Sequence, residues 1–294
     1  MSLTNLASIR ASLGQPYYED ENVLLYHGDC VELLDRLPEG KIDLTVTSPP
    51  YNIGKEYESL RTVESYVSWC EKWMRQIFIA TKPFGAFWLN AGYFEVPDKG
   101  LAVPIVYYLW DKSPFYLIQE IVWNYGAGVA CRNRLSPRNE KLLWYVKGQA
   151  GYTFNLDDIR DPDVKYPNQK KNGKLKCNPL GKNPSDVWQI AKVTSGSNRA
   201  SPERTAHPAQ FPVDLISRVV LASSNPGEIV LDPFMGSGST AEVALRTGRR
   251  AIGFETDERY LELSVNRLER YKHQRKMTEA QSELALNVQR FELG

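Results

Sequence analysis

The stretch Ile229–Ala244, IVLDPFMGSGSTAEVA, constrains the fold of this 294-residue chain more than any other. An apolar strand runs into Asp232. The turn Pro233-Phe234-Met235-Gly236-Ser237-Gly238-Ser239-Thr240 follows, and then a helix. Glycines in such a turn let the backbone approach a ligand with no Cβ in the way. The spacing is not the GxGxxG of a dinucleotide fingerprint, and the GK[ST] of a P-loop is absent. A second apolar strand, Ala251–Glu255, ends in an acid 19 residues after Gly236, where a carboxylate can accept both hydroxyls of a ribose. The pair reads as a site for a nucleoside cofactor that carries no pyrophosphate. A lone Gly-x-Gly is equally at home in a plain strand–helix turn; the Asp before it and the Glu after it carry the cofactor reading.

Strand and helix alternate through the rest of the chain. Strand-like runs cover Asn22–His27, Lys41–Thr47, Gly85–Leu89, Ile118–Trp123, Lys141–Lys147 and Glu228–Asp232. Helical spacing covers Cys30–Leu37, Val63–Thr81, Leu101–Trp110, Pro212–Ser223, Thr240–Arg246 and a stretch from Asp257. This order predicts an α/β fold with a mostly parallel sheet and helices on both faces. We expect one catalytic domain over residues 1–294, with an inserted region at 151–206. From Arg160 to Ala206 ten basic residues stand against four acidic ones, a local excess of +6 in a chain whose net charge is +1. A solvated loop can carry such an excess, but so can a nucleic-acid face.

Composition removes several classes. The apolar runs are far short of the ~20 residues that span a bilayer. The N-terminus lacks the apolar core of a secretory signal. Cys30, Cys70, Cys131 and Cys177 form no CxxC, so no zinc or redox motif is readable and no metal is expected. They read as free thiols of a reducing cytoplasm, the expected location.

A second motif, Thr47-Ser48-Pro49-Pro50-Tyr51-Asn52, closes a buried strand. Two prolines make a stiff segment without N–H groups. Ser48 and the Pro49 carbonyl can converge on one exocyclic amino group, and Tyr51 offers a ring on which a planar base can stack. Alone, SPPY is a weak signal, since proline-rich turns follow strands in many enzymes.

Together the two motifs resemble the amino-methyltransferases of DNA, which methylate an exocyclic nitrogen using S-adenosylmethionine. Ser48–Tyr51 matches the family's (D/N/S)PP(Y/F/W), and Asp232–Thr240 matches its DPFxGSG(S/T)T-like motif. Glu255, the His27-Gly28-Asp29-Cys30 segment and His207-Pro208-Ala209-Gln210-Phe211-Pro212 also fit, over about Leu24 to Leu268.

The resemblance implies a Rossmann-like methyltransferase fold. It implies Ser48, Pro49, Pro50 and Tyr51 as catalytic residues. It implies cofactor contacts from Asp29, Asp232, Pro233, Phe234, Gly236, Ser237, Gly238, Thr240 and Glu255. Tyr51 and Asp232 are 181 positions apart, with the catalytic motif first, the order of the permuted group called beta. In that group a target-recognition region lies between the halves, here the basic insert. DNA contacts are expected from Lys165, Lys170, Lys171, Lys174 and Lys176, joined by Arg132, Arg134 and Arg138. Double-stranded DNA is the implied partner, with a restriction endonuclease acting separately as a second.

Ser at position 48 is typical of cytosine-N4 members, and Asp of adenine-N6 members, so N4 of cytosine is the expected target and N6 of adenine the alternative. None of the four cysteines follows Pro-Pro, which disfavours carbon-5 methylation. The missing GxGxxG weighs against a nicotinamide-dependent oxidoreductase, the intact motifs against a dead DNA-binding relative, and the missing HxE…PCxxC against a zinc deaminase.

Overall fold

Among the described residues, the predicted strand ending at Asp232 lies next to the central strand of a nine-stranded sheet. The computed structural model describes residues 4–56, 58–128, 130–193 and 201–292. In chain order the elements are α1 (Thr4–Leu13), β1 (Tyr18–Glu19), β2 (Val23–His27), α2 (Cys30–Asp35), β3 (Ile42–Thr47), α3 (Val63–Ala80), β4 (Thr81–Ala91), β5 (Tyr93–Val96), β6 (Gly100–Pro104), α4 (Val106–Leu109), β7 (Tyr116–Asn124) and β8 (Asn139–Val146). After a 3-10 turn at Leu156–Ile159 come β9 (Lys170–Lys171), β10 (Lys174–Leu175), β11 (Val187–Gln189), α5 (Val213–Ser223), β12 (Ile229–Asp232), α6 (Ser239–Arg246), β13 (Arg250–Glu255) and α7 (Glu258–Glu292).

The sheet order is β1-β2-β13-β12-β3-β4-β8-β7-β11. Within it β1 runs against β2, and β8 runs against both β4 and β7; the remaining pairings are parallel. From β3 the chain winds outward through β4, then returns to β12 and winds the other way through β13. The seam between β3 and β12 is therefore a topological switch point, where the carboxyl ends of α/β strands open a crevice. SPPY leaves the end of β3 and DPFMGSG leaves the end of β12. Motifs 181 positions apart thus emerge side by side.

The strands are buried on both faces, so successive residues feed two cores. In β8, Leu143 and Tyr145 point to the layer of α1–α4, while Leu142, Trp144 and Val146 point to the layer of α5–α7. Leu215, Ile216, Val219 and Val220 of α5 sit at helical spacing and are wholly buried. Removing one such leucine costs about 2–5 kcal/mol. The edge strands β1 and β11 have two and three residues, short enough to offer little template for pairing with another chain.

The predicted helix over Leu101–Trp110 is a correction. Gly100–Pro104 is instead a strand paired with Tyr93–Val96, and only Val106–Leu109 is helical. Pro104 biases Val103 to extended backbone and supplies no N–H, so the helix begins only after it. Among its described residues the segment 151–206 carries the 3-10 turn, the β9–β10 hairpin and Val187–Gln189, which adds an edge strand to the main sheet. Residues 194–200 of that segment, including Arg199, lie outside the described residues. The four cysteines are free, Cys30 and Cys70 being buried. No helix among the described residues is long and apolar enough to cross a membrane.

Candidate active site

One side chain joins the two motifs. Asp232, at the end of β12, is 2% exposed. It accepts hydrogen bonds from Thr47 Oγ1 of β3 and Thr240 Oγ1 of α6, both at 2.7 Å, and from the Phe234 amide at 3.1 Å. Burial pushes its carboxyl up to about 6, against the opposing pull of these three donors. The structure therefore sets Asp232 as a clamp behind the crevice wall, between the strand that carries SPPY and the helix that follows DPFMGSG.

In front of this clamp lies a two-lobed cavity. The larger lobe, ≈300 Å³, is lined by Ser48–Tyr51, by Phe234–Ser237 and Thr240, and by His207–Phe211. The smaller lobe, ≈170 Å³, is lined by Gly28, Asp29, Pro233 and Phe254, among others. Phe234 and Glu255 line both lobes, so they stand at the junction. The Phe234 ring is held by edge contacts to Trp69 and Trp73, at centroid distances of 5.6 and 5.4 Å.

Backbone donors organise the junction. Glu255 accepts from the amides of Gly236 (2.9 Å), Thr256 (2.8 Å) and Asp257 (3.0 Å). Gly236 has φ +53, and a Cβ there would lie 2.9 Å from Nε2 of His207, so only glycine lets the turn pass beneath that ring. Gly238, at φ +77, begins α6 behind the turn. Asp29 caps α2 by accepting from the amides of Val31 and Glu32.

The His207–Pro212 segment is bolted from behind. Gln210 Nε2 donates to the Glu203 carbonyl, which also accepts from Arg267 Nη2, and Arg267 pairs with Glu242 at 2.8 Å with its side chain wholly buried. His207 packs its ring edge-on against Tyr260 at 4.3 Å. Burial pushes its imidazole down to about 4, so it is neutral at physiological pH.

At the other end of the larger lobe the SPPY segment is rigid. Tyr66 donates its hydroxyl to the Pro50 carbonyl at 2.8 Å. Ser48 Oγ donates to the Tyr51 hydroxyl at 2.8 Å. The Tyr51 hydroxyl in turn faces two acceptors at 3.0 Å, Asn90 Oδ1 of β4 and Glu140 Oε2 of β8. Glu140 Oε1 pairs with Lys192 at 2.5 Å, and the Lys192 ammonium lies 3.9 Å from the centroid of the Tyr125 ring. Burial, and then the Glu140 charge, hold the Tyr51 phenol well above its ordinary range, so it stays a neutral donor. The sequence singled out none of Asn90, Glu140 and Lys192. Glu140 left only a weak signal: with Lys141 it forms a charged pair ahead of the apolar run LLWYV.

The expected DNA-contacting residues fall in two places. Arg134 and Arg138 line a groove of ≈1300 Å³ that is also walled by Tyr51, Glu140 and the β5–β6 hairpin. Arg132 is exposed on the same loop. Lys165 and Lys176 line a separate depression beside Arg160 and Lys182. Lys170, Lys171 and Lys174 are exposed on the β9–β10 hairpin. None of these five lysines lines the two-lobed cavity or the groove. The described residues contain no group of three or more His, Cys, Asp or Glu arranged to hold a metal ion.

Comparison with known proteins decides the family. A family model described as DNA methylase, of the N6/N4 type, matches residues 42–266. The chain belongs to the N6/N4 DNA methylase family. It is 63% identical over 266 residues to the type II methyltransferase M.ScaI of Streptomyces caespitosus, covering 90% of this chain and 88% of that one. Its fold is similar to that of the PvuII DNA methyltransferase (cytosine-N4-specific), with TM-score 0.67, 23% identity, and coverage of 86% of this chain and 88% of that one. It is also similar to a putative DNA modification methylase from Thermus thermophilus, solved with S-adenosyl-L-methionine, with TM-score 0.58, 25% identity, and coverage of 84% and 93%. This DNA methylase uses S-adenosylmethionine as its cofactor.

Proposed function

We propose that this DNA methylase transfers a methyl group to the exocyclic N4 of cytosine at a specific site in duplex DNA. The observation that carries the reading is Ser48 at the head of Pro49-Pro50-Tyr51. Its hydroxyl hydrogen is committed to Tyr51, so its lone pairs are free for the crevice. Such a group accepts a hydrogen from an amine, while the rigid Pro49 carbonyl accepts the other. Both strengthen as positive charge develops on the nitrogen, which is the differential binding that raises turnover. A paired base cannot reach this depth, so the target base flips out at a cost of a few kcal/mol. Tyr51 is tied into the cavity wall through its hydroxyl, so it orients Ser48 as well as offering a ring to the base.

The two lobes and their lining support a place for the cofactor. The smaller lobe, with Asp29 and Phe234, takes the adenine. Glu255 at the junction takes the ribose. The turn Gly236–Ser239 and Thr240 take the amino-acid end, with Pro233 shaping the wall and Asp232 and Gly238 holding the turn from behind. When bound, S-adenosylmethionine supplies an electrophilic methyl on a sulfonium. A neutral His207 beside it adds no second cation. Motif order and the β3–β12 seam support a place in the permuted beta group, with residues 151–206 as its target-recognition region. Its substrate sets its place of action in the cytoplasm, on the chromosome. A cognate endonuclease would act on the same site as a separate protein.

The test is nucleoside mass spectrometry of varied duplex DNA treated with the enzyme and S-adenosylmethionine. N4-methylcytosine is expected. N6-methyladenine without N4-methylcytosine would overturn the base assignment and leave the family intact.

A further inference from the structure

We infer that Glu140 is a positioning residue for the transfer: through Tyr51 it fixes Ser48 as a hydrogen-bond acceptor toward the substrate amine and receives the proton that the amine sheds. The inference rests on the amino-methylation reading above.

Three facts combine. The first is polarity. A chain of hydroxyls can run in either direction, because each oxygen both donates and accepts. Here the far end is locked. Lys192 can only donate, and it holds Glu140 Oε1 at 2.5 Å. The ionised Glu140 can only accept, so its Oε2, 3.0 Å away, takes the Tyr51 hydrogen. Tyr51 oxygen then accepts the Ser48 hydrogen at 2.8 Å. The Ser48 oxygen is left with lone pairs alone for the cavity. Reversed, the chain would aim a hydrogen at the amine and repel it.

The second fact is the competing acceptor. Asn90 Oδ1 is also 3.0 Å from the Tyr51 hydroxyl, with its amide held the right way round by donation from Nδ2 to the Lys141 carbonyl. An amide can share that hydrogen but cannot keep a proton. A carboxylate is both the stronger acceptor and a base. The third fact is position. Tyr51 and Glu140 line both the inner cavity and the outer groove. The chain therefore starts at the reacting nitrogen and ends where water enters.

The step balances. The bond from the methyl carbon to N4 forms as the bond from that carbon to sulfur breaks, which leaves a proton too many on the nitrogen. That proton passes to Ser48 Oγ, the Ser48 hydrogen to the Tyr51 oxygen, and the Tyr51 hydrogen to Glu140 Oε2. Both hydroxyls are restored, and Glu140 is left as a neutral acid that returns its proton to water in the groove. The proton on an alkylated aromatic amine is strongly acidic, so even an ion-paired carboxylate is base enough to take it.

Two measurements test this on the full-length enzyme, with site DNA identified by sequencing the methylated genome of an expressing host. In single-turnover assays, Glu140→Gln should slow methyl transfer by about tenfold or more, toward the roughly 10²–10⁴-fold that proton-transfer groups contribute. The dissociation constants for S-adenosylmethionine and site DNA should move by about twofold at most, the pattern of a lost transition-state interaction. Glu140→Asp should restore part of the rate. In equilibrium binding without cofactor, the parent should prefer duplex with cytosine at the target over duplex with 2-pyrimidinone, which lacks only the 4-amino group. Glu140→Gln should narrow that preference. If Glu140→Gln fails to fold, Tyr51→Phe is measured in its place. Transfer within about twofold of the parent, with an unchanged preference, overturns the inference. A parent that methylates nothing would instead refute the functional reading on which it rests.

Discussion

Replacing Asp232 by Asn should change how stability depends on pH, and the structure fixes the sign. Asp232 is buried, and its folded pKa of about 6 lies above the ordinary 3.8. Such an acid keeps its proton in the folded protein after the unfolded chain has lost it. Below about pH 4 both states hold the proton and the group's contribution is fully present. From about pH 4 to about pH 6 the folded state binds more protons than the unfolded one, so stability falls as pH rises. Above about pH 6 both states are ionised and the loss is complete. The gap is roughly two pH units at about 1.36 kcal/mol each, so the loss comes to about 3 kcal/mol.

Asn has no such titration. Its carbonyl can accept from one threonine and its amide can donate to the other, whose hydroxyl turns round. That rearrangement adds a constant offset in stability, of either sign. Urea unfolding at several pH values should therefore show the parent losing about 3 kcal/mol relative to Asp232→Asn between about pH 4 and pH 7. Parallel stability curves would refute the buried, proton-retaining clamp.

Two further outcomes are expected. Glu255 already accepts three amide hydrogens, so one lone pair remains for the ribose rather than two; Glu255→Ala should lose one charge-assisted bond of about 1.5–3 kcal/mol and weaken S-adenosylmethionine binding at least about tenfold by calorimetry. Replacing Lys170, Lys171 and Lys174 together with Ala should flatten the salt dependence of DNA binding by up to about three units of slope, and an unchanged slope would move the DNA face to the groove beside Arg134 and Arg138.

The centre of the fold was legible because its residues speak locally. The apolar strand ending at Asp232, the left-handed Gly236 and Gly238, and the acid that ends β13 are neighbours in sequence and act as neighbours in space. The helix α1 was also readable in principle, since Leu6, Ile9 and Leu13 recur at helical spacing. The run Leu101–Trp110 failed because ten largely apolar residues suit strand and helix alike, and only the pairing with Tyr93–Val96 decides between them. Periodicity cannot see a partner strand.

The site divides in the same way. Ser48 and Tyr51 announce themselves through the rigid prolines between them. Asn90, Glu140 and Lys192 come from β4, from β8 and from the chain beyond β11, and nothing local ties them to SPPY. The sheet does so: β4 lies beside β3, and β8 beside β4, with Ala91 opposite Lys141. That register brings Asn90 and Glu140 to the same Tyr51 hydroxyl. Asp232 shows the converse. Its place in the motif implied contact with the cofactor; in the structure three of its lone pairs go to Thr47, Thr240 and the Phe234 amide, and it lines neither lobe of the cavity. The bond to Thr47 crosses the seam between β12 and β3. It sets the spacing between the two strand ends, and hence between methyl donor and amino acceptor, which must meet at about 3–3.5 Å with the reacting orbitals aligned. A motif residue held behind the cavity wall can in this way govern the rate of the reaction in front of it.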